Sequence, residues 1–446
     1  MGNESKEFKL ELERAKGTRD FPPEEMIVRQ QVLDTLRTNF ELFGFNPLET
    51  PIFERFDVLA SKYAGGAEIL KETFKMKDQG NRDLGLRYDL TVPTSRFVGM
   101  NPSLKMPFKR YQMGPVFRDG PIKLGRYREF WQCDVDTFGS KNMLADAECI
   151  MLAQSVFKKL NLDVVIEVSN RKVLDGILTY CEIPEEKRVE VITAIDKLKK
   201  INIKDVEKEL QEKGIPSELI DRLFRVLKTT ATNEEKIAKL KQLFPPGSAC
   251  EGLKEMQDLL SSLDDQSNVV FELGLARGLA YYTGTVFEGF LRNPKEDDVK
   301  SSLCGGGRYD KMVGNFLQSN KEVPAVGLSF GIEPITEQMK INKQRSGDGR
   351  VQKSVAQVFI IPIQTVPFCL QVAGILRKDG INTEMDLMDR GITKNLNYAN
   401  VLNIPFVLIA GTEEVQKNRL KLKNMKSGEE QMLTLAEVVA ILKEKR

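Results

Sequence analysis

Residues 163–255 form a charged, helix-patterned block set between two stretches that read as strands, and this interruption governs what the chain can fold into. The block holds KRVEVITAIDKLKKI and DVEKELQEKGI, punctuated by Gly214-Ile215-Pro216 and Pro245-Pro246-Gly247, where helices stop. Before it, a helix pattern from Glu24 to Leu42 is followed by strand-like FKRYQMGPVFRD and REFWQCDVDTFG. After it, strand patterns return in FELGLARGLAYYTGTVFEGF and run to GLSFGIEP. The expectation is a discontinuous sheet domain, 1–162 and 256–340, carrying a helical insertion at 163–255. Polar, Gly-containing 341–354 reads as a linker. In 355–446 strands alternate with helices, which predicts a small α/β domain with a largely parallel sheet. The predicted fold class is therefore α+β with a separate α/β domain, in keeping with 446 residues being too many for one core.

Charge and composition exclude several classes of function. The net charge is only +2 with 29% charged residues, so no global basic field exists and an RNA partner must be held by local patches. No run of about 18 apolar residues occurs, and MGNESKEFKLELERAKG lacks an apolar signal core, so no membrane partner is expected and a cytoplasmic location is. The six cysteines are scattered without a C-x-x-C pair, which argues for reduced thiols and against zinc; Cys133 and Cys304 read as small buried fillers. Histidine is absent altogether, which rules out Ser-His-Asp and Cys-His catalysis.

Five segments carry candidate chemistry. FRDGPIKLGRYREF concentrates Arg118, Lys123, Arg126 and Arg128 between two strands, where a hairpin would raise guanidinium forks over a polyanion; a solvated basic loop is the alternative. In the strand that follows, Gln132, Asp134 and Asp136 share one face, as suits the floor of a polar pocket. In LGLRYDLTVPTSR, Arg87, Asp89 and Thr91 alternate along a predicted strand, and Asp89 with Thr91 would hold an ammonium; a surface strand with a capping Asp is the plainer reading. Tyr281 and Tyr282 would point to opposite sides of a strand, so at most one faces a given pocket, and CGGGRYD reads as a glycine-rich loop before Arg308 and Tyr309.

Arg118 followed by GRYREF resembles motif 2 of class II aminoacyl-tRNA synthetases, and QCDVD together with LARGLAYYTGTVFE extends the resemblance to the histidyl-tRNA synthetase family. The resemblance implies an antiparallel-sheet catalytic domain with a helical insertion and a C-terminal α/β anticodon-binding domain, the latter on NYANVLNIPFVLIAG. It implies that Arg118 and Arg277 are catalytic and bind the α-phosphate, with Arg118 also on the substrate carboxylate, Arg126 near the nucleotide and Phe130 stacking on adenine. The segment Asp89-Leu90-Thr91 resembles the archaeal and eukaryotic type, where it binds the α-amino group. Gln132, Asp136, Tyr281, Tyr282 and Tyr309 are implied to line the histidine pocket, Asp136 accepting from one ring nitrogen and Tyr282 meeting the other. AVGLSFGIEPI resembles motif 3, with Pro334 where the family has an arginine on ATP; Ala280 stands where an Asp is usual. GFNPLETPIFE resembles motif 1, implying a homodimer around Pro51, and KGTRDFPPEE resembles the family's N-terminal segment.

The implied substrates are ATP with Mg²⁺, L-histidine and tRNA(His), and the implied reaction forms a histidyl-adenylate and then histidyl-tRNA. A paralogue serving as regulatory subunit of ATP phosphoribosyltransferase is the alternative: Pro334 and Ala280 favour it, whereas Arg118, Arg277 and the C-terminal domain oppose it. A related synthetase for another amino acid would share motifs 1 to 3 but not the segment around Arg277 and Tyr282. On this reading the missing histidine suggests that the chain can be translated when charged tRNA(His) is scarce, with chance as the alternative.

Overall fold

The computed structural model describes residues 12–60, 70–122, 127–198, 202–276, 281–317, 322–346 and 352–444. It resolves into two compact units, one built on Val32–Gln338 and the other on Met339–Arg446 with Asp20–Gln31.

The strands of the first unit are β1 (Asn46–Pro47), β2 (Phe53–Arg55), β3 (Lys75–Lys77), β4 (Asp83–Leu86), β5 (Phe108–Phe117), β6 (Glu129–Phe138), β7 (Val164–Asn170), β8 (Val269–Phe271), β9 (Thr285–Leu291), β10 (Cys304–Arg308) and β11 (Ala325–Gly331). Eight of them form one sheet in the order β1-β5-β6-β11-β10-β9-β7-β8, and β2-β4-β3 form a small one. The large sheet is antiparallel from β5 through β7; its two outer pairs, β1 with β5 and β7 with β8, are parallel.

The period of two in WQCDVD decides which face is which. Cys133 and Val135 turn to the side covered by the helix Leu144–Lys159, where Phe157 meets Phe330 at 5.8 Å and Phe40 lies 5.7 Å from Phe330. Gln132, Asp134 and Asp136 turn the other way, opposite Gly331, Ser329 and Gly327 of β11. Among the described residues, six α-helices run between β7 and β8, from Arg171 to Ser261, and three of them begin at side-chain caps: Asn170 accepts from Lys172 N, Asn202 from Lys204 N and Thr232 from Glu235 N.

Three local expectations are corrected. The strand read through LGLRYDLTVPTSR stops at Leu86, and a helix starts at Thr91 and runs to Met100, because Asp89 accepts the Val92 N–H at 2.9 Å and caps that end. The glycine-rich CGGGRYD is no loop: Cys304–Arg308 is a fully buried central strand, whose missing side chains let β9 and β11 pack beside it. The linker read at 341–354 is helical through Arg345, at the end of Ile332–Arg345.

The second unit carries β12 (Val358–Pro362), β13 (Thr383–Met385), β14 (Phe406–Ala410), β15 (Leu420–Asn424) and β16 (Glu430–Leu433) in the order β13-β12-β14-β15-β16. Both faces of β12 and β14 are covered. Val358, Ile360 and Leu408 pack with Val372 and Leu376 of the helix Val366–Lys378, and Phe359, Ile361 and Val407 pack with Ala399 of the helix Ile392–Val401. That accounts for the unbroken apolar runs VFIIP and FVLIA. The expected largely parallel sheet is mixed: β13, β12 and β14 are parallel, but β15 and β16 are antiparallel. The stretch Gly411 to Arg419 is too short for a crossover, which needs roughly a dozen or more residues.

Candidate active site

A cavity of about 620 Å³ opens over the polar face of β6, β10 and β11. Asp89, Thr91, Arg118, Phe130, Gln132, Asp136, Tyr281, Tyr282 and Tyr309 all line it, so residues spread over two hundred positions of sequence converge on one site. Leu90 does not line it; the side chain is buried and the carbonyl accepts from Arg110 Nη2 at 3.4 Å. Arg126 and Arg277 lie outside the described residues.

Small residues make the space. A Cβ at Gly327 would collide with Asp136 Oδ1, and one at Gly307 would come within 2.9 Å of the Tyr282 ring, so glycine on β11 and β10 clears room for the two side chains. Asp136 is buried at the floor, where its carboxylate is held from two sides. The Tyr309 hydroxyl donates to Oδ1, and the Arg110 guanidinium is ion-paired with Oδ2. Register explains the second contact, since Arg110 of β5 stands directly opposite Asp136 of β6, and Gln112 opposite Asp134.

The cavity is acidic. Burial pushes the Asp89 carboxyl up to about 6 and that of Asp134 up to about 7, and it raises Asp136 as well; Arg110 opposes the shift at all three, and Arg118 also opposes it at Asp89. Such a site favours a substrate that brings its own cation and hydrogen-bond donors. Arg118 stands at the end of β5, its Nε donating to the Tyr88 carbonyl at 3.2 Å and its guanidinium 5.0 Å from the Phe130 ring centre.

Tyr281 and Tyr282 are not in a strand, and the expectation that only one could face a pocket is corrected: both line the cavity, with ring centres 4.6 Å apart. The Tyr281 ring also meets Tyr309 edge-on at 6.1 Å. Pro334 lies in the first turn of the helix Ile332–Arg345 and lines the same cavity beside Gly331. Cys133 and Cys304 are both buried, Cys304 at the cavity wall.

Sequence reasoning did not single out Arg110, Glu288 or Glu333. Glu288 and Glu333 line the cavity, and Glu333 accepts the Trp131 N–H at 3.4 Å. The available signal for Arg110 was its alternation with Gln112 along β5, which becomes informative only once the β5–β6 register is known.

Comparison with known proteins gives the family. Residues 17–335 match the family described as Histidyl-tRNA synthetase, and residues 357–445 match the family described as Anticodon binding domain. A Bacillus cereus protein named Histidine--tRNA ligase 1 is 43% identical over 94% of this chain and 97% of its own length. A solved histidyl-tRNA synthetase from Nostoc sp. superposes with a TM-score of 0.85 at 29% identity, covering 98% of this chain and 100% of its own. A Bacillus halodurans structure described as an ATP phosphoribosyltransferase regulatory subunit/histidyl-tRNA synthetase shares the fold, with a TM-score of 0.73 at 21% identity over 90% of this chain and 99% of its own. On these grounds the chain belongs to the histidyl-tRNA synthetase family.

Proposed function

We propose that this chain ligates L-histidine to tRNA(His), using ATP. A carboxylate oxygen of histidine attacks the α-phosphorus of ATP and pyrophosphate leaves; a terminal ribose hydroxyl of the tRNA then attacks the acyl carbonyl and AMP leaves. The observation that carries this reading is the buried Asp136, held by Tyr309 and Arg110 at the floor of an acidic cavity that Arg118 also lines. Asp136 accepts an imidazole N–H, Tyr282 meets the other ring nitrogen, and Gln132, Tyr281 and Tyr309 complete the pocket. Asp89 and Thr91 take the ammonium. Arg118 takes the carboxylate and, with Arg277, the α-phosphate; Arg126 and Phe130 hold the nucleotide.

No protein base is needed for the first step, because the attacking carboxylate is already ionised and in-line displacement demands position and charge neutralisation. A chain without histidine can meet those demands. In the second step a phosphate oxygen of the adenylate accepts the ribose proton; a carboxylate substitution that abolished transfer while sparing adenylate formation and tRNA binding would refute this.

The donor set fits Mg²⁺, since that ion asks for one or two carboxylates besides phosphates and water, and Glu288 and Glu333 line the cavity. Bound there, Mg²⁺ would neutralise phosphate charge.

The domain division that goes with this reading is a catalytic part at 1–162 and 256–340, an insertion at 163–255 whose first strand, β7, belongs to the catalytic sheet, a linker at 341–354 that begins inside the helix Ile332–Arg345, and an anticodon-binding part at 355–446. A homodimer through the Pro51 segment is supported by exposed Leu42, Ile52 and Phe53, apolar surface of the kind that marks interfaces. Sedimentation of the full chain tests it. Cytoplasmic residence is part of this reading; separately, among the described residues no helix is long and apolar enough to cross a membrane.

The deciding experiment is amino-acid-dependent exchange of pyrophosphate into ATP with a panel of amino acids. Exchange with histidine alone is expected. Exchange with another amino acid, or none at all, overturns the reading.

A further inference from the structure

Among the described residues of the catalytic unit Arg110 is the most deeply buried cation, with no solvent exposure, and it lies behind the cavity floor instead of lining it. Its Nη2 pairs with Asp136 and reaches the Leu90 carbonyl at 3.4 Å, while Nε and Nη1 have no hydrogen-bond partner. Leaving two guanidinium nitrogens unsatisfied in the interior carries the full desolvation cost of those groups. An apolar residue would fill that volume at lower cost, as replacements of buried ion pairs generally indicate. Something other than stability therefore accounts for a guanidinium at this position.

We propose that Arg110 is a positioning residue for histidine recognition, holding Asp136 from behind in the orientation and charge state that accept an imidazole N–H. The inference rests on Asp136 being the imidazole acceptor, and it adds the group that makes it one. Asp136 would otherwise stand in a setting that disfavours its anion. Asp134 neighbours it on β6, Asp89 faces it from the start of the helix Thr91–Met100, and Cys149 approaches on the helix Leu144–Lys159; none of these offers a positive charge. From the far side Tyr309 supplies one hydrogen bond and no charge, and Gly327 of β11 supplies only space. Arg110 is the cation in contact with the Asp136 carboxylate, and the β5–β6 register fixes it there. Oδ2 is ion-paired to Arg110 and Oδ1 accepts from Tyr309, so the carboxylate is held from two sides, while Oδ2 accepts no hydrogen bond among the described residues and keeps its lone pairs for an incoming donor. A neutral Asp136 could present a hydroxyl and lose the preference for an N–H donor.

The test is a cycle in the full-length enzyme: Arg110→Met, Arg110→Lys, Asp136→Asn and the double variant Arg110→Met/Asp136→Asn. Histidine and ATP KM values are read by pyrophosphate exchange between about pH 6 and 9, a range in which carboxylates shifted by burial titrate. Asp136→Asn is expected to raise the histidine KM at least about tenfold, as loss of one charged hydrogen bond does, with little change in the ATP KM. If it does not, the Asp136 assignment fails, independently of Arg110. Arg110→Met is expected to raise the histidine KM far more at the acid end of the range than at the alkaline end, and Arg110→Lys is expected to return the profile toward that of the parent. In the Asp136→Asn background, Arg110→Met should cost nothing further. A penalty equal at all pH values, or one that adds in full to that of Asp136→Asn, overturns the proposal. Should Arg110→Met alone fail to fold, the double variant compared with Asp136→Asn still decides, because it leaves no unpaired buried charge.

Discussion

Tyr309 donates its hydroxyl to Asp136 across the width of β11, joining the residue that follows β10 to the far end of β6, and both groups are buried. Burial first, and the neighbouring carboxylate second, push the Tyr309 phenol far up, so it stays a donor at any working pH. Removing it should loosen Asp136 without unfolding the site. Tyr309→Phe is expected to cost about 2 kcal/mol of histidine binding, or roughly thirtyfold in the histidine KM, with the ATP KM nearly constant. Pyrophosphate exchange at varied histidine checks this.

The space above Asp136 exists because β11 carries no side chain at Gly327. Gly327→Ala would drive a methyl group against the carboxylate and the β6 backbone, with the Val135 carbonyl oxygen only 2.9 Å from the added carbon. Overpacking of this kind costs about 1–3 kcal/mol. A lower Tm together with loss of histidine-dependent exchange is expected; a variant melting like the parent and binding histidine normally would contradict the geometry.

Arg308 and Asp146 form a second buried ion pair, away from the cavity floor. Arg308 Nη1 also donates to the Ser140 carbonyl at 2.8 Å, and Thr285 donates to the same Asp146 carboxylate. The pair ties β9 and β10 to the helix Leu144–Lys159. Arg308→Met strands a buried carboxylate and should lower unfolding free energy by about 3–5 kcal/mol, whereas Arg308→Met/Asp146→Asn should recover much of it. Urea denaturation of both variants measures the difference.

The pH dependence of stability has a definite sign. Asp89 and Asp134 titrate near 6 and 7 in the folded protein but near 3.9 when unfolded. Between those values the folded state binds more protons, so the contribution of these groups to stability is greatest at the acid end, falls as pH rises, and levels off above about 7. Histidine binding runs the opposite way, because the ammonium needs the ionised Asp89. Melting curves from pH 5 to 8 should show the unliganded protein losing this contribution while histidine gives a growing upward shift in Tm. With no imidazole in the chain, no histidine of its own can mask either trend.

Much of the site was legible because its signals are local. The alternation in WQCDVD announces a strand with one polar face, and the apolar runs VFIIP and FVLIA announce strands covered on both sides; each follows from side-chain direction along a few residues. What a strand lies beside is a different kind of information. Asp89 was readable as a charged residue near Thr91, but only the helix start it caps shows that the pair belongs to a turn and not to a strand face. CGGGRYD looked like a loop because glycine favours turns, yet its neighbours β9 and β11 demand a strand without side chains. By itself the sequence determined the periodicities, the order of the domains and the residue types available for chemistry. The tertiary structure alone decided that Arg110 stands opposite Asp136, that Tyr309 reaches the same carboxylate, and that both tyrosines 281 and 282 face one cavity. Those relations depend on register between strands far apart in the chain, which no local pattern encodes.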